Sequence, residues 1–84
     1  MKKLVAVVKS EAGLHARPAG VIVKKAGEFS SSITLEKGEK SIDAKRLLAV
    51  LSLGAKQGDE ITITADGSDE EAALEAIKAI IESN

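Results

Sequence analysis

The sequence has 84 residues and lacks cysteine, tryptophan and tyrosine, and it contains only one histidine, one proline and one phenylalanine. Without cysteine, disulfides and thiolate metal sites are excluded. A single histidine leaves no second imidazole to share a metal ion, so we expect no metal site. The scarcity of aromatic side chains argues against base stacking on single-stranded nucleic acid. The core must therefore consist of Val, Ile, Leu and Ala.

Long hydrophobic runs and a strong net charge are also missing. The apolar run Leu4–Val8 is too short for a signal-peptide core or a membrane span. The formal net charge of −1 gives no overall attraction to polyanions. We therefore expect no nucleic-acid partner and no membrane insertion. The length suits one domain over residues 1–84, and we expect a cytoplasmic monomer.

Hydrophobic periodicity predicts four strands and three helices in the order β-α-β-β-α-β-α. The predicted elements are a well-covered strand at 4–8, a helix at 16–26, hairpin strands at 33–36 and 41–43, a helix at 45–53, a strand at 61–65, and a helix opened by a capping box of Ser68 and Glu71. Hairpin pairing and alternation predict an antiparallel sheet with three helices on one face, a two-layer α+β sandwich. These patterns leave the strand order open.

The helix at 45–53 carries more apolar residues than one core-facing stripe can hold. One set is Leu47, Leu48 and Leu51, and the other is Val50 and Leu53. One of the two sets is expected to be exposed, and exposed leucines beside Lys45 and Arg46 would form a protein-docking patch. The pattern alone leaves open the alternative that the helix is buried on most sides.

The stretch Gly13–Gly20 contains the only histidine, His15, two residues before Arg17, where a helix is predicted to begin. The first backbone N–H groups of that helix, on Ala16 and Arg17, have no partner within the helix and together with its macrodipole form an anion site. The same positive helix end disfavours a protonated imidazole, so His15 is expected to keep a lone pair that can attack phosphorus. The Arg17 guanidinium suits a phosphoryl group.

Three segments of the sequence resemble the histidine-containing phosphocarrier (HPr) family of the bacterial phosphoenolpyruvate:sugar phosphotransferase system. They are Gly13–Ala19 (GLHARPA), Asp43–Lys45 before the leucine-rich helix, and Ser52–Ile61 (SLGAKQGDEI). The resemblance implies an open-faced β-sandwich, a four-stranded antiparallel sheet of order 1-4-2-3 covered on one face by three helices. It also implies a stoichiometric carrier without cofactor, and not a turnover enzyme.

The resemblance further implies the roles of individual residues. Nδ1 of His15 would accept a phosphoryl group from phosphorylated enzyme I and pass it to the IIA domains of sugar permeases, while Arg17 would help to hold the phosphohistidine. Both partners would dock on one surface. Its apolar centre would be Leu47, Leu48 and Leu51, surrounded by Lys24, Lys45 and Arg46.

The sequence departs from the family pattern at two positions. Many members carry a regulatory serine after the residue matched by Lys45, whereas this chain has Arg46, so we predict that phosphorylation by the dedicated kinase is absent. Ala12 replaces a residue that often supplies a hydroxyl or amide, so those contacts are expected from backbone or water. Two other functions stay open from the sequence. One is a paralogue phosphorylated on His15 that acts on a regulator or nitrogen-branch partner, and the other is a structural module in which His15 only caps a helix.

Overall fold

The computed structural model describes residues 1–83, and within them it shows four strands and three helices in the predicted order. In chain order they are β1 (Lys2–Val7), α1 (Ala16–Ala26), β2 (Ser32–Lys37), β3 (Lys40–Asp43), α2 (Leu47–Ser52), β4 (Glu60–Asp66) and α3 (Glu70–Ile81). The element order β-α-β-β-α-β-α is therefore confirmed. Residue 84 lies outside the described part of the chain.

The strands form one antiparallel sheet in the order β1-β4-β2-β3, which confirms the order implied by the resemblance. The central position belongs to Ile63 of β4, which lies between Leu4 of β1 and Leu35 of β2. Ile63 and Leu35 are fully buried, because they face the layer formed by the helices. In β4, the alternate residues Thr62 and Thr64 are only half-buried, because they lie on the opposite, open face of the sheet.

The prediction that the first strand is well covered is wrong. The strand begins at Lys2 and occupies the edge of the sheet, and Val5 in its middle is 48% exposed. Val5 pairs with Thr62, so its side chain lies on the open face, whereas Ala6 is fully buried on the helical face. The short apolar run therefore predicted burial correctly for only one of the two faces of the strand.

The second helix begins two residues later than predicted, at Leu47, because Asp43 forms a turn before it. The Asp43 carboxylate accepts a hydrogen bond from the Lys45 N–H at 2.9 Å, and the Asp43 carbonyl accepts one from the Arg46 N–H at 3.2 Å. Aspartate commonly stabilises such turns in this way. Lys45 and Arg46 thus precede the helix and do not form its first turn.

The predicted capping box at the start of the third helix is also wrong. Asp69, not Ser68, is the residue before α3, and its carboxylate accepts no capping bond from the helix. Instead Oδ2 accepts from the Ser30 N–H at 2.9 Å and Oδ1 accepts from the Ser31 N–H at 3.0 Å, and both serine hydroxyls donate to the same carboxylate. The local capping rule failed because this carboxylate joins the connector before β2 to the start of α3.

Asp69→Ala is expected to lower the melting temperature by several degrees near neutral pH, because four hydrogen bonds to the carboxylate are lost. The Ser31 hydroxyl, followed by the Ser30 N–H, lowers the pKa of the Asp69 carboxyl from 3.8 to about 2. A folded-state pKa below the unfolded value means that this stabilisation is complete above pH 3.8 and is lost as the pH falls towards about 2. Thermal unfolding followed by circular dichroism should show the difference from wild type shrinking over that window. Asp66→Ala, which removes an exposed carboxylate near the N-terminal amine, should change little.

Candidate functional site

His15 is the last residue of a loop, residues 8–15, that is called the acceptor loop below. The loop is anchored where the Leu14 N–H donates to the Ala55 carbonyl oxygen at 3.1 Å. Gly13 beside it has φ +71°, and any Cβ at this position would collide with the Ala55 carbonyl oxygen. The side chain of Leu14 is buried in the core, whereas His15 is exposed. Leu14 therefore fixes the chain immediately before the histidine and leaves the imidazole at the surface.

His15 is the residue that caps the N-terminus of α1. Its backbone is extended, at φ −83° and ψ −170°, and its carbonyl oxygen accepts from the Ala19 N–H at 3.0 Å. Nδ1 of the ring accepts from the Arg17 N–H at 3.4 Å. An accepting imidazole nitrogen carries its lone pair, so the contact assigns the lone pair to Nδ1 and, in the neutral ring, the proton to Nε2.

The first turn of α1 offers only two backbone donors to an anion. Pro18 has no N–H, and the Ala19 N–H is bonded to the His15 carbonyl oxygen. The Ala16 N–H remains, together with the Arg17 N–H, which in the free protein donates to Nδ1 of His15. These are the two residues that the sequence predicted for phosphate binding. The turn contains no acidic side chain, so the positive end of the helix is not neutralised there. The structure thus brings together the Nδ1 lone pair, two N–H donors and the exposed Arg17 side chain.

An open cleft of about 380 Å³ lies over this helix end. Among residues 1–83, its lining consists of Ser10, His15, Arg17, Pro18, Val21, Ile80 and Ser83. No sequence pattern assigned Ser10, Ile80 or Ser83 to this site. Ser10, a residue with a hydroxyl group, lines the cleft that contains His15, whereas Ala12 has no hydroxyl. No local pattern could have found Ile80 or Ser83, because the end of α3 reaches the cleft only through tertiary packing.

The apolar residues in and just after α2 separate into the two predicted sets, except that Leu51 of the exposed set is half-buried. Val50 is fully buried and Leu53 is 5% exposed, whereas Leu47 is 43% and Leu48 is 80% exposed. Leu51 is half-buried against the core. The alternative of a helix buried on most sides is therefore wrong. We call Leu47, Leu48 and Leu51 the leucine patch; an exposed cluster of this kind is typical of a protein interface.

The three predicted cations around the leucine patch are not equivalent. Lys24 and Arg46 are exposed. Lys45 is half-buried, and its ammonium donates to the Phe29 carbonyl oxygen at 3.0 Å, which ties it to the middle of the α1–β2 connector. The sequence also missed Val21 of α1, which is 49% exposed and lines the His15 cleft.

The described part of the chain has neither a cluster of metal ligands nor a helix that could span a membrane. Residues 1–83 contain no group of three or more His, Asp or Glu side chains placed to hold a metal ion. None of the helices described within those residues is long and apolar enough to cross a bilayer.

Comparison with known proteins places these features in a family. A family model described as "PTS HPr component phosphorylation site" matches residues 2–83. The phosphocarrier protein HPr of Mycoplasma pneumoniae is 46% identical over 86 residues, covering 100% of this chain and 97% of its own. The crystal structure of HPr from Bacillus anthracis has a TM-score of 0.92 at 40% identity, with 96% of each chain covered.

A solved relative also bears on the expected monomer. The structure of an HPr dimer from Thermoanaerobacter tengcongensis has a TM-score of 0.75 at 42% identity, covering 96% of this chain and 93% of its own. A monomeric state therefore stays a prediction for this chain. The family model over nearly the whole chain, the full-length relative and the shared fold agree on the type of protein. This chain belongs to the HPr family, the phosphocarriers of the phosphotransferase system.

Proposed function

We propose that Nδ1 of His15 accepts a phosphoryl group from phosphorylated enzyme I and passes it to the IIA domains of sugar permeases. The observation that carries this proposal is the hydrogen bond from the Arg17 N–H to Nδ1, made at an exposed helix N-terminus. It identifies a nitrogen with a lone pair beside donors suited to a phosphoryl group. The open cleft lets a partner's active site reach that nitrogen.

In the transfer, the Nδ1 lone pair of the neutral imidazole forms a bond to phosphorus. The bond between phosphorus and the donor's histidine nitrogen breaks, and its electrons stay on that nitrogen. If the donor's phosphohistidine ring carries an N–H, it leaves as a neutral imidazole, while His15 keeps its proton on Nε2 and becomes the cationic ring. No proton needs to move, and the reverse step delivers the group to the next acceptor.

During this step the Arg17 N–H exchanges one hydrogen-bond acceptor, Nδ1 of His15, for another, a phosphoryl oxygen. The N–P bond uses the lone pair that accepts from the Arg17 N–H, so this N–H becomes free to donate to a phosphoryl oxygen. The Ala16 N–H and the Arg17 guanidinium supply further donors, and hydrogen bonds to a charged oxygen are stronger than those to a neutral nitrogen. The same helix end therefore holds both the free ring and its phosphorylated form.

We propose that both partners dock on the leucine patch, with Lys24 and Arg46 contacting acidic side chains around an apolar centre. Lys45 contributes to the docking surface mainly through its hydrogen bond to the Phe29 carbonyl oxygen, and less through a charge available to the partner. Because one surface serves donor and acceptor, the protein binds them in turn. We place these reactions in the cytoplasm, with one domain and one acceptor histidine per monomer.

The test is incubation of the wild-type protein with phosphoenolpyruvate and enzyme I. Intact mass spectrometry should show one added phosphoryl group, stable in base and lost in acid, and NMR should assign it to Nδ1. An enzyme I preparation that phosphorylates another HPr but not this protein would contradict the proposal. Addition of IIA domains should then discharge the adduct. An adduct that only a regulatory protein discharges would favour the paralogue with a regulatory role.

A further inference from the structure

The turn formed by residues 55–59, called the brace below, lies against the acceptor loop. It belongs to the sequence motif Ser52–Ile61, to which the proposed transfer gives no role. Four hydrogen bonds join brace and loop: Leu14 N–H to Ala55 O at 3.1 Å, Gly58 N–H to Val8 O at 2.8 Å, Val8 N–H to Asp59 O at 3.0 Å, and Gln57 Nε2 to Lys9 O at 3.1 Å. The loop is therefore fixed at both ends by one short segment.

The carboxylate of Asp59 closes the brace. Its Oδ2 accepts from the Lys56 N–H at 2.8 Å and lies 3.2 Å from Nζ of Lys37 in the strand β2. Lys37 also donates to the Gly54 carbonyl oxygen at 3.2 Å, next to the start of the brace. The Lys56 N–H, followed by the Lys37 ammonium, lowers the pKa of the Asp59 carboxyl, so it is ionised at neutral pH. The Asp59 N–H also donates to the Lys56 carbonyl oxygen at 3.0 Å. The charged carboxylate thus reinforces, from its side chain, the turn that presents the Ala55 carbonyl.

We infer that Asp59 is a positioning residue for phosphoryl transfer, acting through the brace and the Ala55 carbonyl on Leu14 and so on the placement of His15. Asp59 lies outside the set of residues that line the His15 cleft. The inference rests on the proposed function, since it takes His15 as the acceptor. Its physical basis is that transfer requires a nucleophile held in a narrow range of positions, and small displacements are costly in rate.

The first experiment measures steady-state phosphorylation by enzyme I, with the protein as the varied substrate. Asp59→Ala is expected to lower kcat about tenfold and to leave KM unchanged, because the leucine patch is intact. Asp59→Asn should recover part of kcat, because its amide oxygen can still accept from the Lys56 N–H while the ion pair with Lys37 is lost. Asp69→Ala is the matched control, since it removes a hydrogen-bonded carboxylate at the start of α3. This start lies roughly 18 Å along the helix from the end that reaches the His15 cleft.

The second experiment measures hydrogen exchange of the Leu14 amide, which requires no partner protein. Asp59→Ala should speed exchange at Leu14 relative to the buried amides of β4, Asp59→Asn should do so less, and Asp69→Ala should not. The inference is overturned if Leu14 exchange is unchanged in Asp59→Ala, or if Asp69→Ala lowers kcat equally. A wild-type protein that is not phosphorylated would contradict the proposed function instead, while the exchange data would still test the brace.

Discussion

Substitution of His15 by alanine is expected to abolish formation of the phosphoryl adduct completely. The sequence contains no other histidine, and the described residues that line the cleft offer no other side-chain nitrogen with a lone pair. The fold should be retained, because the ring is exposed and its capping hydrogen bond is long, at 3.4 Å. Loss of such a cap costs about 0.5 kcal/mol at the low end of the usual range. Intact mass spectrometry after incubation with phosphoenolpyruvate and enzyme I gives the measurement.

The matched control is His15→Asn. Asparagine is a favoured residue before a helix and accepts a hydrogen bond from the first turn, so this variant keeps α1 capped but has no nucleophilic nitrogen. It should match the wild-type protein in thermal stability and match His15→Ala in lacking an adduct. An acid-labile adduct on His15→Asn would show that the phosphoryl group is carried elsewhere, and the proposed site would be wrong.

Leu48→Glu is expected to raise KM for both enzyme I and IIA domains on the order of 100-fold. Leu48 is the most exposed residue of the leucine patch, and a carboxylate there would be buried against an apolar and acidic partner surface. Single residues at the centre of an interface can change affinity by this amount. Thermal stability should be unchanged, because 80% of the side chain is already in solvent. Steady-state kinetics with each partner in turn gives both values of KM.

Val5→Glu is the control for that experiment. Val5 is also exposed and apolar, but it lies on the open face of the sheet, on the side away from the helices. The same change of charge there should leave both values of KM near wild type. If Val5→Glu and Leu48→Glu raise KM equally, the effect comes from net charge and not from contact with the leucine patch, and the docking proposal fails.

The parts of the site that could be predicted are those encoded over a few residues. His15, Arg17 and the helix start follow one another in the chain, so spacing alone placed the two backbone donors beside the imidazole. The two sets of apolar residues in and just after α2 followed from helical periodicity for the same reason. In both cases the relevant geometry spans no more than two helical turns.

The parts that could not be predicted depend on contacts between distant segments. The cleft wall from Ile80 and Ser83, the Asp69 contacts with Ser30 and Ser31, and the bond from Lys45 to Phe29 all join segments that no local pattern relates. The capping box was wrong for this reason, because Asp69 contributes to tertiary structure where the local rule expects a helix cap. The strand order likewise required knowledge from the family. Alternation predicts the face of the sheet on which each side chain lies, but it does not predict which strands are neighbours.

The hydrogen bond from the Leu14 N–H to the Ala55 carbonyl oxygen has a consequence for the order in which the protein becomes functional during synthesis. The ribosome makes His15 early, yet the carbonyl that anchors Leu14 belongs to a residue made forty positions later. The first strand also waits for β4, its pairing partner in the sheet. Until Ala55 and β4 have left the ribosome, the nascent chain therefore has His15 without the hydrogen bond that fixes Leu14. Competence to carry a phosphoryl group is acquired late in translation, together with the closing strands of the fold.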